Sequence, residues 1–101
     1  IKSIEVEVST MDEICNRYKF YPDFIKIDVE GAELEVLQGG KETLKSIQSI
    51  MIEISNQHEK IFNLLKELDF EPLDYKGNVV GWSDLNKKIL NNNYFFKKSN
   101  K

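Results

Sequence analysis

The sequence predicts an α/β fold in which helices cover both faces of a mostly parallel β-sheet. One observation is the order of the segments, because runs with strand periodicity alternate with runs of helical spacing. That order is typical of βαβ units, whose strands are parallel and whose crossovers are right-handed. The other observation is that residues 47–55 contain four isoleucines and a methionine, as expected for a strand that helices cover on both faces. The chain of 101 residues suffices for one small domain, residues 1–101.

The first two predicted elements are a strand and a short helix. Residues 1–8 (IKSIEVEV) alternate between aliphatic residues and glutamate, which is the periodicity of a strand with one solvated face. Thr10 and Glu13 have the spacing of a capping box, so a helix is expected to begin near Met11. Pro22 closes this segment, because the residue before a proline disfavours helical backbone.

The later elements continue the alternation. Residues 23–30 predict a strand, residues 32–40 a helix and residues 42–47 a helical turn. Residues 47–55 predict a second strand, and residues 58–70 an amphipathic helix. The first of these helices has acidic residues in its first turn and stops at two glycines. In the amphipathic helix, isoleucine and leucine recur at helical spacing. Residues 71–80 predict a strand and a turn, with the turn at residues 77–78. A short helix is predicted at residues 84–93 and a final strand at residues 94–98.

Charged side chains stand where two predicted strands end. Side chains alternate across a strand, so Lys26, Asp28 and Glu30 share one face of the strand at 23–30. If the strand that contains Glu53 is its neighbour in register, Lys26, Asp28 and Glu53 lie close together. One interpretation is a structural ion pair of Lys26 with Glu53 or Asp28, because an unpaired buried charge is costly. The other is a polar pocket at the carboxyl ends of the strands, where α/β sheets bind ligands.

The sign of the charge indicates what such a pocket would bind. Asp28, Glu30 and Glu33 crowd the start of a helix, an end that otherwise attracts anions. Because carboxylates already occupy it, a phosphate would be repelled, and a cation, a metal ion or sugar-like hydroxyls would fit. Gly31 allows a close backbone approach or an unusual turn between strand and helix.

Three further residues are interpreted as structural. His58 is expected to face solvent near a helix start, Cys15 to be a small core residue, and Trp82 to anchor a loop on the core. Since Cys15 is the only cysteine, no internal disulfide can form.

The composition sets limits on location and partners. The net charge is −3 and Arg17 is the only arginine, so no nucleic-acid partner is expected. No apolar run approaches the length of a membrane span, and the first residues do not have the pattern of a signal peptide. We therefore expect no membrane association and a cytoplasmic location.

The run PDFIKIDVEGAELEVLQGG (residues 22–40) closely resembles the FkbM-type methyltransferases. Their hallmark is an apolar strand that ends in a Lys-Ile-Asp-Val-Glu-Gly-Ala-Glu run, followed by a helix that ends in Leu-x-Gly. The upstream VSTMDEI resembles the Thr-Leu-Asp-x-Leu element of the family, with methionine in place of the first leucine. The downstream IMIEIS resembles the strand that follows in the family. The resemblance extends over roughly residues 8–55.

The resemblance implies a partial Rossmann-like class I fold, with an antiparallel last strand, that uses S-adenosylmethionine. Such enzymes typically methylate hydroxyl oxygens, here of a small molecule or sugar. By this resemblance Asp28 and Glu30 are catalytic, and Asp28 also lies near the cofactor. Lys26, Glu33 and Glu53 are substrate-binding or supporting residues. No metal is assigned, and whether Asp28 acts as a base or as a metal ligand stays open.

The family's glycine-containing loop and the acidic residue that hold the cofactor have no counterpart in this sequence. We therefore expect residues 1–101 to be the C-terminal half of a methyltransferase domain, inactive alone and without strong cofactor binding. Whether the chain itself is an enzyme is left open. The alternative is a non-catalytic half-domain that acts as a binding or self-association module. In that case the open edge of the strand at 23–30 would recruit a second copy or be covered by residues 1–8.

Overall fold

The computed structural model describes residues 10–87 and 93–99. In chain order its helices and strands are α1 (Met11–Tyr18), β1 (Phe24–Ile27), α2 (Glu33–Gln38), α3 (Lys41–Ser46), β2 (Ser49–Glu53), α4 (His58–Glu67), β3 (Phe70–Leu73), a 3₁₀ helix (Trp82–Lys87) and β4 (Asn93–Lys98). The α/β class is therefore confirmed. The strand predicted at residues 1–8 and part of the helix predicted at 84–93 lie outside the described residues.

The four strands form one mixed sheet in the order β1-β2-β4-β3. The pair β1–β2 is parallel, and β4 is antiparallel to both β2 and β3. The antiparallel last strand is thus confirmed. A mostly parallel sheet is not observed, because β4 inserts between β2 and β3 and makes both of its pairings antiparallel.

The buried residues of the strands all lie on one face of the sheet. The register places Ile27 beside Ile52 and Ile52 beside Tyr94, and all three are at most 4% exposed. They belong to one core cluster with buried residues of α1, α2, α3 and α4. On the other face, Lys26 is exposed and Met51 is half-buried. Helices on both faces were predicted, but the helices of the described residues cover only this one.

Two glycines end α2, as predicted, and separate it from α3. A Cβ at Gly40 would overlap the end of the Met11 side chain and would lie 3.2 Å from its Cβ. The backbone amide of Asp12 also donates to the carbonyl oxygen of Gly39, at 3.0 Å. The glycine pair therefore allows the start of α1 to pack directly against the backbone between α2 and α3.

The start of α1 is capped as predicted, and it also caps another helix. Thr10 Oγ1 accepts a hydrogen bond from the Glu13 amide at 3.1 Å. The carboxylate of Asp12 accepts bonds from the Glu42 amide at 3.1 Å, the Thr43 amide at 2.8 Å and the Thr43 hydroxyl at 2.6 Å. Because α3 has no side-chain cap of its own, Asp12 supplies that cap from a helix 30 residues earlier in the chain.

Lys98, in the last strand, joins the ends of two helices. Its Nζ donates to the carbonyl oxygens of Leu44 at 2.6 Å and of Leu68 at 3.0 Å, and lies 3.9 Å from the centre of the Phe70 ring. Burial lowers the pKa of Lys98 below its usual 10.5, and the nearby Asp69 partly opposes that shift. The amine therefore satisfies carbonyl groups at the ends of α3 and α4 that lack intrahelical partners.

We expect Lys98→Met to lower the free energy of unfolding by about 1–2 kcal/mol at pH 7, because two carbonyls lose their donor. The lowered pKa adds a pH dependence. Between this pKa and 10.5 the unfolded chain binds more protons than the folded one. The free energy of unfolding of the wild type therefore rises relative to that of the variant as the pH increases through that window. Urea unfolding at several pH values measures both effects. Lys97→Met is the control, and an equal loss there would contradict the prediction.

Candidate functional site

The exits of β1 and β2 lie side by side. The parallel register pairs Lys26 with Met51 and Ile27 with Ile52. Asp28 follows directly after the last residue of β1, and Glu53 is the last residue of β2, where it pairs with Asn93. Both carboxylates are exposed. The parallel pairing of β1 and β2 therefore places the two acidic residues at adjacent strand ends.

Lys26 does not form the structural ion pair that was one interpretation of its position. Among residues 10–87 and 93–99 the observed ion pair is Lys45–Glu42, and Lys26 has none with Asp28 or Glu53. The reason is that Lys26 is exposed, on the uncovered face of a strand at the edge of the described sheet. Its charge is solvated, so it needs no carboxylate partner.

A tight turn carries the chain from β1 to α2. The Ala32 amide donates to the Val29 carbonyl at 2.8 Å, and Gly31 has a φ of 84°, which a side chain would make costly. A Cβ on Gly31 would lie 4.0 Å from Nδ2 of Asn56, so the turn faces the segment after β2. The unusual turn expected at Gly31 is confirmed, and it leaves the Glu30 carboxylate exposed.

Glu33 is the one predicted site residue that is buried. It is 1% exposed, and its Oε1 accepts a hydrogen bond of 2.7 Å from the Ser55 amide. Within the described ranges, its Oε2 is buried and has no hydrogen-bond partner. The contact of Glu33 with the Ser55 amide was not predicted, because a backbone amide leaves no mark in a residue pattern. The close approach that Gly31 allows was the only signal for this segment.

The residues interpreted as structural pack mainly as expected. Cys15 is 3% exposed, and the ring of Trp82 stacks on Phe96 with centroids 5.7 Å apart. His58 does not face solvent, because α4 begins against β4. Its ring is half-buried and lies 5.8 Å from that of Tyr94, whose pKa burial raises.

A metal site and a membrane span are both absent from the described residues, which form a groove elsewhere. In the part of the chain that the structure describes, no group of three or more His, Cys, Asp and Glu side chains could hold a metal ion. A groove of about 510 Å³ lies beside α1 and α3, with Tyr21 on its rim, and contains none of the predicted site residues. No helix among the described residues combines the length and apolar character that a membrane span requires.

Comparisons with known proteins agree with the family resemblance that the strand–turn–helix motif indicated. Residues 1–76 match the methyltransferase FkbM domain family. The 2-O-methyltransferase NoeI of Sinorhizobium fredii (strain NBRC 101917 / NGR234) is 42% identical over 55 residues, which is 54% of this chain and 23% of the relative. The chain thus spans about a quarter of the length of that curated relative. No solved structure matches the chain significantly.

Proposed function

Because the chain belongs to the FkbM methyltransferase family, we propose that it is part of an enzyme that methylates a hydroxyl oxygen with S-adenosylmethionine as methyl donor. The observation that carries this proposal is the family match across residues 1–76, which include the exposed carboxylates at the exits of β1 and β2. The relative NoeI is a 2-O-methyltransferase, which supports an acceptor that is a sugar or another small molecule with hydroxyl groups.

We assign residues 1–101 to the C-terminal half of a Rossmann-like methyltransferase domain. The antiparallel β4 and the parallel β1–β2 pair support this assignment. In the described sheet β1 is an edge strand, and a strand from the first half of the domain would pair there. The family match does not favour the alternative of a non-catalytic self-association module. A cytoplasmic location and the lack of a nucleic-acid partner stay predictions from the sequence.

The exposed carboxylates fit a cationic methyl donor. Asp28, Glu30 and Glu53 are exposed, and none of them forms an ion pair within the described residues. Their negative potential is therefore available to a positively charged ligand. When bound, S-adenosylmethionine supplies a methyl carbon on a positively charged sulfur.

Asp28 takes the central role in the proposed mechanism. Its exposed carboxylate lies just after β1, where it would hold the acceptor hydroxyl in line and accept its proton. The new oxygen–carbon bond would form as the carbon–sulfur bond of the methyl donor breaks and the sulfur leaves as a neutral thioether. Glu30 and Glu53 add negative potential beside it, and the exposed amine of Lys26 binds the acceptor.

The function is tested with the intact protein and methyl-labelled S-adenosylmethionine. We expect label to enter a carbohydrate or other hydroxylated acceptor, and we expect calorimetry to detect no cofactor binding by residues 1–101 alone. Failure of the intact protein both to bind the cofactor and to label any acceptor would contradict the proposed function. Tight stoichiometric binding by the 101-residue chain would contradict only its assignment to the half without the cofactor loop.

A further inference from the structure

Glu33 is a buried carboxylate with only one of its two oxygens in use. The side chain is 1% exposed, Oε1 accepts from the Ser55 amide, and Oε2 has no partner in the described ranges. An unpaired buried acceptor costs about 1–3 kcal/mol, and more for a charged group. A donor that reaches this oxygen in the working protein would offset that cost.

The described residues do not supply that donor. Lys45–Glu42 is the ion pair observed in residues 10–87 and 93–99, so no described lysine or arginine reaches Glu33. In the same residues no group of three or more His, Cys, Asp and Glu side chains could hold a metal ion beside it. A hydrogen bond to Oε2 would therefore need a donor other than the described residues.

The position of Glu33 relates this oxygen to the proposed active site. Glu33 begins α2, directly after the turn that follows β1 and Asp28, and Ser55 follows β2, whose last residue is Glu53. The bond of 2.7 Å from the Ser55 amide to Oε1 thus ties the two exit segments together. Asn56, next along the chain, faces Gly31 of the same turn.

We propose that Glu33 is a positioning residue of the methyltransferase site. Oε1 holds the segment after β2 in register with the turn after β1, and Oε2 accepts a hydrogen bond from an N–H or O–H donor of the assembled site. With both oxygens engaged, Glu33 sets the distance between the carboxylates of Asp28 and Glu53. This inference rests on the proposed function for its catalytic consequence, but the hydrogen bond to Oε2 is a separate, physical claim.

Glu33→Gln tests the claim in the intact protein, because glutamine has the same shape with one acceptor and one donor group. If both oxygens of Glu33 accept hydrogen bonds, the carbonyl oxygen of glutamine can replace only one of them. The NH₂ group at the other position then faces a hydrogen-bond donor and cannot accept from it. We expect the folding equilibrium constant, from urea unfolding, to fall roughly 10- to 100-fold. Glu35→Gln, on the exposed side of α2, is the control and should change nothing. A Glu33→Gln protein as stable as the wild type would show that Oε2 has no donor and overturn the proposal.

Glu33→Asp separates hydrogen bonding from size. It keeps two acceptor oxygens on a shorter side chain, so we expect it to be more stable than Glu33→Gln. The reverse order would mean that volume decides, and the proposal would fail.

The catalytic consequence is measured as kcat and KM at a temperature where the variants are folded. We expect Glu33→Gln to lower kcat roughly 10- to 100-fold and to leave the acceptor KM within about twofold, because misplaced groups slow the chemical step. An unchanged kcat would mean that Glu33 has only a structural role, and it would overturn the proposed positioning role. If the wild type itself transfers no methyl group, the proposed function fails, while the unfolding measurements still decide whether Oε2 accepts a bond.

Discussion

Asp28→Asn is expected to lower kcat of the intact protein roughly 10²- to 10⁴-fold, the range that a general base contributes. Asparagine has nearly the same shape and can still orient a hydroxyl group, but it cannot accept the proton that the acceptor loses. Asp28 is exposed and forms no ion pair in the described residues, so its replacement removes no contact that the fold depends on. The urea midpoint should therefore remain that of the wild type.

Transfer of labelled methyl from S-adenosylmethionine measures the effect, with Glu35→Gln as a matched exposed acid on α2. The control should keep wild-type kcat, because Glu35 lies outside the predicted site. Wild-type kcat in Asp28→Asn would exclude Asp28 as the proton acceptor. A large fall in the urea midpoint would instead give the residue a structural role.

Asp12→Ala is expected to destabilise the protein by about 2–4 kcal/mol, because a carboxylate that accepts three hydrogen bonds is removed at once. Two of the donors are the Glu42 and Thr43 amides at the start of α3, which then have no cap. The third is the Thr43 hydroxyl, which is left in a residue only 6% exposed. The cost is thus one of folding, while kcat per folded molecule should not change.

Urea unfolding of Asp12→Ala and Glu13→Ala checks this prediction. Glu13 is the adjacent acid of α1, its side chain is exposed, and only its backbone amide is used in the cap of α1. Asp12→Asn should fall between Asp12→Ala and the wild type, since its carbonyl oxygen retains part of the cap. A loss below about 0.5 kcal/mol in Asp12→Ala, the range of an ordinary surface substitution, would contradict the role of the carboxylate.

The sequence alone determined the features that depend on near neighbours in the chain. The spacing of Ile61, Leu64 and Leu65 predicted the buried face of α4, and Thr10 predicted the cap of α1. Gly31 marked the turn after β1, because a φ of 84° favours glycine over residues with a side chain. The motif around this turn also identified the family. Hydrogen bonds within a turn and the periodicity of a face are local, so a linear pattern records them.

Only the tertiary structure decided the partners that are distant in the chain. The sequence did not predict that Asp12 caps α3, that Lys98 joins the ends of α3 and α4, or that Glu33 holds the Ser55 amide. These bonds involve backbone groups, which are the same in every residue and leave no trace in the sequence. The insertion of β4 between β2 and β3 and the exposure of Lys26 depend likewise on which strands become neighbours. Packing selects that arrangement from several that the same alternation of strands and helices would permit.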